Sequence, residues 1–155
     1  MAITQEWQID CTSTQAFDLM ADLRNVTKWN ETCQKAEMIT NETVGHGSTF
    51  HLAFGDKREN NVTIAAFARP DRLEFAGTSK PLDIYSTYTF AAVDEGTQMQ
   101  GTFAPTPKGV MKLLLPLMMP MIRRDLSKHH AKFKMLCETE SKSQQVREEQ
   151  AAKEG

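Results

Sequence analysis

The sequence has no surplus of either charge, few cysteines and no apolar run long enough to cross a bilayer. Its 18 Lys+Arg against 20 Asp+Glu give a formal charge of −2, so no basic field exists to hold a phosphate backbone. Nucleic acid is therefore not an expected partner. The 3 cysteines, Cys11, Cys33 and Cys137, form no CxxC pair. They read as small buried hydrophobes in a reducing compartment rather than as a disulfide framework or a zinc cluster. Residues 1–10 show no basic region followed by an apolar core, which makes the cytoplasm the expected location. Four Asn-x-Ser/Thr triplets, at Asn25, Asn30, Asn41 and Asn61, are then chance matches. The longest apolar stretch, Gly109 to Ile122, is shorter than the roughly 20 residues of a membrane span and contains Lys112, Pro116 and Pro120. No integral membrane segment is expected.

Catalytic signatures are equally sparse. There is no Gly-x-Ser-x-Gly, and Gly45-His46-Gly47 leads into Ser-Thr-Phe-His-Leu, a strand rather than the helix a phosphate loop requires. His46 and His51 stand 5 apart, on opposite faces of a regular strand. His129 and His130 are adjacent on a helix and diverge by about 100°. His129 shares the core-facing stripe and reads as a hydrogen-bonded wall residue. Neither a metal nor a cofactor is expected.

What the chain does contain is one domain's worth of alternating patterns, 40% hydrophobic and 25% charged in 155 residues. Ile3, Trp7 and Ile9 mark a first strand, with one alternate site skipped. Thr12 or Ser13 can cap a helix carrying Ala16, Phe17, Met20, Ala21 and Leu23 on one face. A second short turn covers Arg24 to Trp29; Asp22 caps it, and Trp29 packs on the sheet or at a pocket mouth. The period then changes to two, predicting strands over Gln34–Asn41, Ser48–Gly55, Arg58–Ala68, Arg72–Gly77, Asp83–Val93 and Thr97–Ala104. Gly, Pro and Asp punctuate the short gaps, so neighbouring strands pair antiparallel. Helical spacing returns with Ile122, Leu126, His129, Phe133 and Leu136. The expected organisation is one domain over residues 1–140 followed by a charged tail, 141–155, which is either a fraying helix end or a disordered segment. The fold class is α+β, a curved antiparallel sheet of about seven strands wrapped around a long C-terminal helix, with a cavity in the bend.

On the parity of Phe50, Leu52 and Phe54, the inward face also holds Ile64, Phe75, Ile84, Tyr88, Phe90, Met99 and Phe103. Ser86 and the Tyr88 hydroxyl are its main polar members. No inward histidine or carboxylate is placed on the strands for acid–base work, which favours binding over catalysis.

Several segments resemble the START-like helix-grip superfamily, and most its polyketide cyclase/dehydrase branch. They are Ile9 with Ala16-Phe17, Leu19, Asp22 and Trp29; Gly45-His46-Gly47-Ser48-Thr49-Phe50; Phe67 to Phe75 around Pro70-Asp71-Arg72-Leu73; and Thr87-Tyr88-Thr89-Phe90 with Glu95-Gly96-Thr97. Cys11-Thr12 stands where the family often has Ala-Pro. The resemblance implies a deep pocket for a small hydrophobic or amphipathic molecule, lipid-like or polyketide-like, carried or sensed.

The expected ligand contacts are Trp29, Phe50, Leu52, Phe54, Ile64, Phe75, Ser86, Tyr88, Phe90 and Phe103. Leu114, Leu117 and Met121 join them from an adjustable, proline-broken gate, with a kinked helix simply packed on the sheet as the equal alternative for this segment. An alternative is a cyclase/dehydrase-like enzyme with Tyr88 as proton donor or orienting group. A third reading is a homodimer joined through Met111–Ile122.

Overall fold

Alternation of apolar and polar side chains buries one face of each strand, and short turns force successive strands to pair antiparallel. The computed structural model describes residues 2–40 and 43–154. Strands β1 (Ile3–Ile9), β2 (Cys33–Met38), β3 (Thr49–Phe54), β4 (Glu59–Ala68), β5 (Arg72–Thr78), β6 (Leu82–Val93) and β7 (Gly96–Pro107) form one 7-stranded sheet in the order β1-β7-β6-β5-β4-β3-β2. Each predicted strand is there. Asn41, the expected end of the second of them and one of the Asn-x-Ser/Thr triplets, lies outside the described residues. Register shifts between Cys33 and Lys35 in β2 and between Ile64 and Ala66 in β4 bend the sheet into a concave trough. The β6–β7 turn needs Gly96: at φ +126° a Cβ there would lie 2.1 Å from the Ile9 carbonyl oxygen.

Helix α1 (Ser13–Ala21) starts at Thr12, whose hydroxyl accepts the Gln15 N–H at 3.1 Å while Gln15 Oε1 accepts the Thr12 N–H at 3.0 Å. Its buried Phe17 meets Phe67 and Phe90 edge-on at 5.0 and 5.4 Å between centroids. A 3-10 turn (Leu23–Asn25) follows, capped by the Asp22 carboxylate accepting from the Arg24 N–H at 3.1 Å, and then α2 (Val26–Trp29). The Arg24 guanidinium, hydrogen-bonded to that carboxylate, holds Asp22 below the usual carboxylate range. Asp22 is a helix-cap residue.

Three features of the C-terminal helix were either open or unexpected in the sequence. First, α3 (Met111–Glu154) runs unbroken through Pro116 and Pro120. Both prolines are exposed, so the carbonyls of Lys112 and Pro116 that lose their N–H partners face water. Second, residues 141–154 continue the helix, and past Ser141 their side chains are exposed. Third, the buried positions of its second half are His130, Phe133, Cys137 and Ser141, rather than a stripe through His129 and Leu136, which are only half-buried. Small Cys137 and Ser141 let the helix approach the β1–α1 corner closely, and Met135 turns out to solvent. Among the described residues, no helix is long and apolar enough to cross a membrane.

Candidate functional site

The bend of the sheet leaves a cavity of about 180 Å³ between the trough, α2 and α3. Leu52 and Phe54 of β3, Val62 of β4, Phe75 of β5 and Ile84 and Phe103 of β6 and β7 form its apolar wall. Met20, Leu23, Val26 and Trp29 close one side, and Leu126, His129 and His130 of α3 close the other. Asn30, Asn60, Ser86, Tyr88 and the two histidines add polar groups.

Seven of the sequence-predicted contacts line this cavity: Trp29, Leu52, Phe54, Phe75, Ser86, Tyr88 and Phe103. Three others, Phe50, Ile64 and Phe90, share the inward parity but are buried in the core and do not line the cavity. Leu114, Leu117 and Met121 do not face inward. They are 43%, 80% and 45% exposed, because the buried side of the first half of α3 belongs to Leu115. The segment expected to be a gate therefore does not wall the cavity.

The polar chemistry centres on a side chain not singled out from the sequence. His130 stacks on Trp7, with ring centroids 4.3 Å apart and planes 14° from parallel, and meets Tyr88 edge-on. Gln5, the site skipped in the alternation of β1, sets its tautomer. The Gln5 Nε2 donates to Ser127 Oγ at 2.8 Å and to the Arg123 carbonyl at 3.2 Å. Its Oε1 is thereby left to accept from His130 Nδ1–H at 2.7 Å. Nε2 is the bare nitrogen, and the Tyr88 hydroxyl donates to it at 3.3 Å. Burial drives the His130 pKa down to about 4 and the Tyr88 pKa up to about 12. Both groups are neutral at pH 7. His129, expected as a hydrogen-bonded wall residue diverging from its neighbour, does line the cavity, but alongside His130, which takes the hydrogen-bonded role.

Gly101 makes this arrangement possible. It pairs with Tyr88 across β6–β7, and a Cβ on it would lie 2.8 Å from Tyr88 Cε1 and 3.3 Å from the Trp7 ring. The indole N–H of Trp29 is buried and has no hydrogen-bond partner among the described residues. Asn60 was legible in principle, since it stands on the parity of Val62 and Ile64. His130 was not, because helical spacing alone left the rotation of α3 undetermined by one position.

Residues 1–138 match the family described as polyketide cyclase / dehydrase and lipid transport. No curated protein matches the sequence. Among solved structures, a protein of Thermus thermophilus superposes with a TM-score of 0.74 at 15% identity, covering 91% of this chain and 99% of its own. A START superfamily protein of Mycobacterium smegmatis gives 0.67 at 10% identity, covering 92% and 97%. DynU16, a protein of the dynemicin biosynthetic locus, gives 0.67 at 13% identity over 90% of this chain and 48% of that one. These likenesses establish the START-like helix-grip fold.

Proposed function

The chain belongs to the polyketide cyclase/dehydrase and lipid transport family, and on that premise we propose that it binds a small hydrophobic or amphipathic molecule in the cavity under α3. The observation that carries this reading is the wall itself: aromatic and aliphatic side chains from the trough, with a few convergent polar groups. Volume narrows the class. About 180 Å³ is close to the roughly 150 Å³ of an apolar cavity that takes up benzene. The resting cavity thus suits one aromatic ring or a short branched chain, and a larger polyketide or acyl group has to displace Leu126 and His129 outward. The Trp29 indole N–H, without a partner among the described residues, favours a ligand bearing an oxygen acceptor, and the Tyr88 hydroxyl, whose proton goes to His130, can accept from a ligand donor.

Titration calorimetry with phenols, aryl ketones and short fatty acids tests this, with binding expected at micromolar strength, about −8 kcal/mol. No heat and no thermal shift across the panel would mean that the cavity is a packing void.

The Tyr88–His130 contact favours a second reading, a cyclase/dehydrase-like reaction with Tyr88 as proton donor. A base held near pKa 4 is poorly matched to proton abstraction at neutral pH, so binding is preferred over turnover. Tyr88→Phe separates the two: a carrier keeps most of its affinity, whereas an enzyme binds and no longer converts. The exposed Leu113 and Leu117 support the homodimer reading, which sedimentation of Leu117→Glu checks by loss of any dimer.

A further inference from the structure

We propose that Cys11 and Cys137 form a reversible disulfide that clips α3 to the β1–α1 corner, making the pair a peroxide-responsive site independent of whatever the cavity binds. The two residues are 126 positions apart in sequence, yet their Sγ atoms lie 2.7 Å from one another, and both side chains are buried. Closing that gap to the roughly 2.05 Å of a disulfide takes a shift of well under 1 Å.

The backbone on both sides is already in register. The Asp10 N–H donates to Glu138 Oε2 at 2.9 Å, so the residue before Cys11 is tied to the residue after Cys137. The Cys11 carbonyl accepts the Thr97 hydroxyl at 2.8 Å, which anchors the corner to β7. One turn further on, Gln15 Nε2 donates to Gln144 Oε1 at 3.1 Å, closing the α1–α3 seam. Neither thiol has to travel. Cys33, the third cysteine, is buried at the start of β2 with its thiol directed to the Lys35 carbonyl at 3.5 Å, and serves as an internal control.

The two sulfurs are not equivalent. The Cys137 thiol donates toward Cys11, which lowers the Cys11 pKa despite burial and the nearby Glu138 and Asp10 carboxylates. The same contact and burial push Cys137 up. Cys11 is the attacking sulfur and Cys137 the resolving one. With hydrogen peroxide, the Cys11 thiolate attacks one oxygen, the O–O bond breaks and hydroxide leaves, giving a sulfenic acid. The Cys137 sulfur then attacks Cys11 Sγ, the S–O bond breaks, and the departing hydroxide takes the Cys137 proton as water. The two thiols lose two electrons, and one peroxide becomes two waters. A small oxidant matches a site closed to bulky disulfides. Reduction by a dithiol reverses it.

The experiment is peroxide treatment of the folded, full-length protein followed by thiol counting, intact mass and peptide mapping under non-reducing conditions. The expected result is a fall from 3 free thiols to one, a mass loss of about 2 Da reversed by dithiothreitol, and a peptide joining Cys11 to Cys137 with Cys33 still alkylatable. Because the bridge closes most of the chain into a loop, oxidised protein should melt roughly 10 °C higher. In Cys137→Ser, which keeps a donor beside Cys11, the bridge is lost and a sulfenic acid, a gain of about 16 Da, stays on Cys11; in Cys11→Ala neither forms. The mapping on unmodified protein needs no variant, so poor folding of either leaves the test intact. Three surviving thiols, a bridge involving Cys33, or direct passage of Cys11 to a sulfinic acid would each overturn the proposal.

Discussion

A neutral imidazole sealed between Trp7, Tyr88 and Gln5 makes stability depend on acidity. The unfolded chain protonates its histidines near pH 6.5, whereas folded His130 takes up a proton only near 4. Between those values the unfolded state binds more protons, so stability is full above about pH 6.5 and declines as pH falls toward 4, by on the order of 3 kcal/mol. His129, lowered by burial against the opposing pull of Asp125, adds in the same direction. Urea unfolding between pH 4 and 7 should show this slope in the native protein and a shallower one in His130→Gln, which keeps a polar group beside Gln5 without the titration. Gly101→Ala tests the same cluster sterically: its Cβ would strike Tyr88, and a loss of about 1–3 kcal/mol is expected, with the Tyr88–His130 contact broken. The alternation rule pointed at Tyr88 directly. It passed over Gln5 and Asn60 because a polar residue on an inward parity looks like a break in the pattern when read one strand at a time.

At the level of elements, the strands were readable because each turn carries its own chemistry, and pairing between sequence neighbours leaves the register little freedom. The long helix was not. Its apolar residues spread around more than one face, so spacing could not choose between Leu114, Leu117 and Met121 on one side and Leu115 on another. The choice was made by the seam with β1 and α1, where the small Cys137 and Ser141 are buried. Two substitutions read this out. Leu115→Ala, at a fully buried position, should cost about 2–5 kcal/mol, while Leu117→Ala, 80% exposed, should cost well under 1 kcal/mol. The prolines follow the same logic. With Pro116 and Pro120 on the water side of an intact helix, replacing both by alanine should raise stability through helix propensity, by up to about 3 kcal/mol each, and leave ligand exchange unchanged because that segment does not line the cavity.

Over the whole molecule, the trough follows from seven strands meeting one long helix, but the space left over is a small difference between large volumes and is set by packing rather than by pattern. Four of the inward side chains, Phe50, Ile64, Phe90 and Met99, went to fill the core, and the others help enclose about 180 Å³. Whether that space is a site or a void is decided by filling it. Ser86 lies on the inward face of β6, between Phe75 and Phe103 in the ladder, and reaches the cavity with the smallest of the lining side chains apart from Gly77. Leucine there occupies a large part of the volume with apolar atoms and removes no hydrogen bond made by the Ser86 side chain among the described residues. If the cavity is unused, Ser86→Leu should stabilise the protein by about 1 kcal/mol or more and change nothing else. If the cavity is the binding site, the same substitution should also weaken a single-ring probe at least tenfold, about 1.4 kcal/mol, by taking its place. Calorimetry of the probe alongside thermal unfolding of the empty variant measures both quantities on one preparation, and a stabilised variant that still binds the probe at native strength would move the site out of the trough altogether.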